Sequence, residues 1–356
     1  MFARPRPTTT PRVIRPATSR PIRAAVRRRA SSDRARTGPA ASSETVTTSD
    51  GVRLAAHDYE LAAFADHTVV LMHGLLLTQE SWADQVRQLQ RRWGSSVRVI
   101  TYDHRGHGRS TGASMHTYRI ERLAADLAEV LTALQVSGPL TLAGHSMGGM
   151  TALAYFGRPA AQRPVEPQGL VLVATAGGRL TERGLGRLLG TPATNMLFDL
   201  VQRMPRRATD QVIKGLMRPV REAVITHSAQ SGVDANAVAA VTASAMRSIS
   251  LATAVGFLPS LQRYDQYPTL ASISAKTIVI SGGTDLATPV AHGRDLAVAI
   301  PGATHLHRPD AGHMLLQEAP RVVSAAMGMH RRPGCAANPW VSHRSSPAPH
   351  LVAVVS

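Results

Sequence analysis

Leu140-Thr-Leu-Ala143, Gly144-His-Ser-Met-Gly-Gly149 and Met150-Thr-Ala-Leu-Ala-Tyr-Phe156 run consecutively, and their reading decides the fold. The first piece is a short apolar run suited to a buried strand. The last has helical character. Between them, G-x-S-x-G joins strand to helix by a sharp turn. Such a turn lifts the Ser146 hydroxyl above the sheet edge. Gly144 and Gly148 leave room for strand and helix to approach closely. The helix N-terminus adds positive potential where an oxyanion would form. Ser146 is therefore the candidate nucleophile.

Outward from this point the pattern alternates. Thr45–Thr48 and Val52–Tyr59 flank Ser49-Asp50-Gly51, which predicts a β-hairpin. Thr68–Met72, Val97–Tyr102, Leu170–Val173, Thr277–Ser281 and Thr304–Arg308 read as further strands. Helical spacing runs over Ser81–Trp93, over Ile120–Leu134, around Val290–Ala299 and near Leu315–Met327. Alternating strands and helices predict an α/β fold with a mostly parallel central sheet flanked by helices. Residues 45–177 and 269–330 would form this core. Residues 178–268 hold helix-like segments without a convincing buried strand, which predicts an inserted helical cap.

A serine hydroxyl needs a base, and the base needs an orienting acid. His313, in Pro309-Asp-Ala-Gly-His313, follows one strand and precedes the last helix. Asp285, in Ser281-Gly-Gly-Thr-Asp285, ends another strand. Both lie where open α/β sheets collect their ligands, at carboxyl ends of strands. The order Ser146, Asp285, His313 is that of a hydrolase triad. Asp310 and Asp265 are rival acids; Asp310 reads as a turn residue. Two backbone N–H groups must converge on the oxyanion. Met147, directly after the nucleophile, supplies one. Leu75 in the loop His73-Gly74-Leu75 supplies the other, with Leu76 as the fallback. His73 and the turn Asp103-His-Arg-Gly-His-Gly-Arg-Ser110 read as scaffold.

The 356 residues carry a net charge of +17. Much of it is concentrated: residues 1–45 hold eleven arginines against Asp33 and Glu44. Residues 1–44, rich in Arg, Pro and Ser, are expected to be a disordered tail, and residues 331–356 a second tail. Weak contact with an anionic surface is the partner role this N-terminal tail suggests; no dedicated nucleic-acid domain is expected. Cys335 is the single cysteine, so no internal disulfide or cysteine-rich zinc site is expected. There is no GxxxxGK[ST] loop, strand-borne GxGxxG or HExxH, so neither cofactor nor metal is expected. No apolar run suits a membrane span or a secretory signal, which leaves a cytoplasmic location as the expectation.

Five ordered motifs together resemble the α/β-hydrolase fold family: His73-Gly74, Asp103-x-Arg-Gly-x-Gly-x-Ser110, Gly144-His-Ser-Met-Gly-Gly149, Gly283-Thr-Asp285 and Gly312-His313. The resemblance covers roughly residues 45–330. It implies a cap after the sixth strand, a Ser-His-Asp triad, no cofactor, and hydrolysis of an acyl bond. His145 before the serine looks like many esterases and monoacylglycerol lipases. A small lipophilic ester is thus the expected substrate. A lactonase, a perhydrolase, a carbon–carbon bond hydrolase and a non-catalytic binding protein on the same fold are the alternatives. In the cap, Met196, Leu197, Phe198, Leu200 and Val201 would either wall an acyl-chain pocket or pack the cap itself.

Overall fold

The computed structural model describes residues 41–59, 65–203, 251–328 and 352–354. Nine strands form one sheet in the order β1-β2-β4-β3-β5-β6-β7-β8-β9. β1 (Ser42–Thr47) and β2 (Arg53–Tyr59) make the expected hairpin, closed where Thr48 N–H donates to Val52 O at 2.8 Å. β2 then pairs antiparallel with β4 (Val97–Tyr102). From β4 the sheet is parallel through β3 (His67–Met72), β5 (Leu140–His145), β6 (Gly169–Val173), β7 (Lys276–Gly282) and β8 (Thr304–Arg308). The first strand begins at Ser42, within the stretch expected as tail, because β2 runs far enough to pair Asp58 with Ser42. β9 (Val352–Val354) lies in the stretch expected as the C-terminal tail and pairs antiparallel with β8. Residues 1–40, 331–351 and 355–356 of the two expected tails lie outside the described residues.

Alternation along the parallel strands builds two cores. Val70, Met72, Leu140, Leu142, Leu170 and Leu172 face one side. There they pack α2 (Ile120–Ala133) and α3 (Met147–Phe156). Val69, Leu71, Val97, Val99, Val171 and Val173 face the other. That side is covered by α1 (Ala83–Trp93), α9 (Leu315–Glu318) and α10 (Pro320–Gly328). Sequence periodicity read these last two as one helix. Pro320 interrupts it, since proline lacks the N–H and biases Ala319 away from helical geometry. α8 (Val290–Ala299) lies between β7 and β8 in sequence, and its Leu296 joins the first core.

Between β6 and β7 the described elements are helical: α4 (Pro192–Arg203), α5 (Leu251–Gly256), α6 (Leu258–Arg263) and α7 (Tyr267–Leu270). Residues 204–250 of the expected cap lie outside the described residues. Among the described residues no helix is long and apolar enough to cross a membrane.

The Asp103–Ser110 turn is held from within. The Asp103 carboxylate accepts from Gln79 N–H at 2.8 Å and Arg109 N–H at 2.9 Å. The Ser110 hydroxyl donates to Asp103 O at 2.6 Å. Arg105 is fully buried, with two bonds of 2.7 Å to Asp126 and one of 2.9 Å to Asp50. Asp50 thereby ties the β1–β2 turn to this loop. Removing one partner of a buried ion pair leaves the other charge uncompensated. Arg105→Ala should therefore lower the unfolding free energy by about 3–5 kcal/mol, measured by urea denaturation. A loss below about 1 kcal/mol, the range of exposed pairs, would contradict this.

Candidate active site

Ser146 sits at the junction of β5 and α3 with φ 51° and ψ −117°, a left-handed backbone that a side chain rarely adopts. Close packing holds it there. A Cβ on Gly148 would come within 2.1 Å of Met72 O, and one on Gly144 within 2.3 Å of Gly148 C. Ser146 N–H donates to Val173 O at 2.9 Å, and Ser146 O accepts from Gly149 N–H at 2.9 Å and the Thr175 hydroxyl at 2.7 Å. The residue stays partly exposed.

Asp285 and His313 meet. The Nδ1–H of His313 donates to Asp285 Oδ2 at 2.9 Å. The Asp285 side chain is fully buried, whereas that of His313 is 27% exposed. Asp285 Oδ1 also accepts from the backbone N–H of Ala287 and Thr288, each at 2.8 Å, and Oδ2 from the Thr288 hydroxyl at 2.8 Å. Burial alone would raise the Asp285 pKa. The charge of protonated His313 and these hydrogen bonds outweigh burial and hold it below the ordinary 3.8. For His313, burial favours the neutral ring, but Asp285 and then Glu318 lift its pKa above 6.5. Glu318 also accepts from Gly312 N–H, beside the histidine. The rival carboxylates stand elsewhere: Asp310 is exposed, and Asp265 accepts from Tyr267 N–H at 2.9 Å.

His145, one residue before Ser146, donates from Nε2 to His313 O at 2.8 Å. The loop carrying His313 thus lies against the end of β5. Among the described residues the Ser146 hydroxyl makes no hydrogen bond, to His313 or otherwise; such bonds often tighten only with substrate bound. The loop after β3 also reaches the serine, since a Cβ on Gly74 would lie 3.1 Å from Ser146 Cβ. Leu76 has φ 63° in the turn closed by Leu77 N–H to Gly74 O at 3.2 Å. Among the described residues, the N–H groups of Leu75 and Met147 donate to no protein acceptor. Among them also, no group of three or more His, Cys, Asp or Glu is placed to hold a metal ion.

Residues 67–320 match the family described as the alpha/beta hydrolase fold. The chain belongs to this family. It is 30% identical over 270 residues, 76% of its length, to the dihydrolipoyllysine-residue acetyltransferase component of the acetoin cleaving system of Pseudomonas putida. It spans 64%, 39% and 38% of the lengths of three curated relatives it matches. Among solved structures it is similar to a hydrolase from Pseudomonas aeruginosa PA01 at 25% identity, with TM-score 0.62, covering 81% of this chain and 97% of that one. It is also similar to Est816, described as an N-acyl homoserine lactone degrading enzyme, at 25% identity and TM-score 0.58, covering 80% and 98%.

Within this hydrolase fold the apolar run from Met196 to Val201 divides. Val201 is buried against Val255, with Leu197 and Phe198 packed around them, whereas Met196 and Leu200 are 72% and 56% exposed. Packing between α4 and α5 thus holds Val201, Leu197 and Phe198. A cleft of about 460 Å³ opens beside it, lined by Tyr118, Arg119, Phe198 and Arg263 among others. It touches none of Ser146, Asp285 or His313.

Three contributors escaped sequence reasoning. Thr288 shares a short loop with Asp285, a spacing that an Asx-type turn could have signalled. Thr175 and the His145–His313 contact join residues distant in sequence, and no local pattern marks them.

Asp285 is the chief group that raises the His313 pKa, so Asp285→Asn should lower that pKa. Histidine NMR titration of both proteins would read it; an unchanged midpoint would contradict the assignment.

Proposed function

We propose that this chain is a serine hydrolase that cleaves a carboxylic ester through an acyl-enzyme on Ser146. The observation that carries the reading is the pairing of His313 with buried Asp285, on a loop fastened beside a serine held at φ 51°. With Nδ1–H committed to Asp285, the lone pair of His313 is on Nε2, the tautomer a general base requires. His313 Nε2 takes the Ser146 proton as Oγ attacks the ester carbonyl carbon. The N–H groups of Leu75 and Met147 receive the oxyanion. Collapse breaks the carbon–oxygen bond, and the leaving alcohol takes the proton from His313. Water then attacks the acyl-enzyme, gives its proton to His313, and the carboxylic acid departs as Ser146 regains that proton. Asp285 stabilises the imidazolium in both halves.

A small lipophilic ester is the proposed substrate class. A lactone, an ester closed into a ring, is a second reading, favoured by the likeness to Est816. Ser146→Ala should reduce kcat on short p-nitrophenyl esters by about 10⁴–10⁶-fold. Unchanged turnover would reject Ser146 as the nucleophile. A panel of acyl lengths and lactones, run on the unaltered chain, would separate the two substrate classes.

A further inference from the structure

His145 is buried at 1% exposure, yet it is a hydrogen-bonding side chain at the foot of the reactive serine. A carbonyl oxygen only accepts, so the 2.8 Å contact to His313 O places the ring proton on Nε2. Nδ1 then carries a lone pair. It is buried and, among the described residues, has no hydrogen-bond partner. The ring fits because Gly74 has no side chain: a Cβ there would stand 2.9 Å from His145 Nδ1. The His145 and His313 rings lie 5.0 Å apart between centroids.

We propose that His145 is a positioning residue for the base: it fastens the backbone of His313 to the residue next to the nucleophile. The inference rests on the acyl-transfer reading of the same site. Ser146 is covalently joined to His145, and His145 is hydrogen-bonded to His313. The hydroxyl and the base therefore share one reference point, although 167 residues separate them in sequence. Asp285 orients the His313 ring, and His145 fixes the backbone from which that ring hangs. The donor must also be neutral. A second cation 5.0 Å from His313 would oppose the imidazolium formed in each half-reaction. Burial, and then the neighbouring His313, push the His145 pKa down to about 3, so the ring supplies a donor without a charge.

The test compares His145→Leu, which removes the donor, with His145→Gln, whose amide nitrogen can reach the place of Nε2. Ser146→Ala is measured in parallel on one p-nitrophenyl ester. His145→Leu should lower kcat by about 10–100-fold with KM within about twofold, as expected of a misplaced base. His145→Gln should recover kcat to within about fivefold of the unaltered enzyme, since a single neutral donor is replaced. Should the leucine variant fail to fold, His145→Asn takes its place, with an amide too short for the contact and the same expected loss. Wild-type kcat in the donor-lacking variant would overturn the inference, as would equal impairment of both variants in step with a lowered melting temperature. An inactive Ser146→Ala beside a fully active His145→Leu overturns this inference alone. A fully active Ser146→Ala overturns the acyl-transfer reading and this inference with it.

Discussion

The approach of α3 to β3 and β5 is the contact on which the site depends. Gly148 lies so close to Met72 O that no side chain could stand there. This proximity turns the chain sharply between strand and helix and leaves Ser146 in a left-handed backbone conformation. Such a conformation costs about 1–3 kcal/mol and persists only when its surroundings over-determine it. Here Val173, Gly149, Met150 and Thr175 all bond the Ser146 backbone. The strain is thereby spread over β6 and the first turn of α3, while the residue remains partly exposed.

The same sheet edge gathers the other groups, each with its own electrical environment. Asp285 is buried but surrounded by donors, so it keeps its charge. His313 is partly open to solvent and paired with that charge, so it gains proton affinity. Just past β3 and β4 lie His73, His104 and His107, fully buried and held neutral by loss of solvation. Arg105 and its carboxylates anchor the adjoining loop. A neutral imidazole cluster and a paired guanidinium thus brace the loops that follow β3 and β4.

Much of this was legible in the chain, for a physical reason. Strands buried on both faces need continuous apolar runs, and helices on one face need a 3.6-residue period, so Val97–Tyr102 and Val290–Ala299 were read at the bounds they have. The break at Pro320 was missed because apolar spacing continues across it. Asp285, which meets His313, was readable as the acid in the loop just past β7; Asp310, just past β8, stands only three residues before His313 and is exposed, and Asp265 accepts from Tyr267 N–H. Backbone groups left weaker traces: leucine avoids positive φ, so nothing in the residue type foretold the conformation of Leu76. The bond from His145 to His313 was invisible, since the apolar pattern does not say which loop folds onto the end of β5.

Peptide mapping after treatment with a fluorophosphonate tests most directly whether this edge makes an alcohol reactive. One phosphonyl adduct on the tryptic peptide containing Ser146, and none elsewhere, is the expected result. A chain that stays unmodified while folded, or that carries its adduct on another serine, would contradict the assignment of the site.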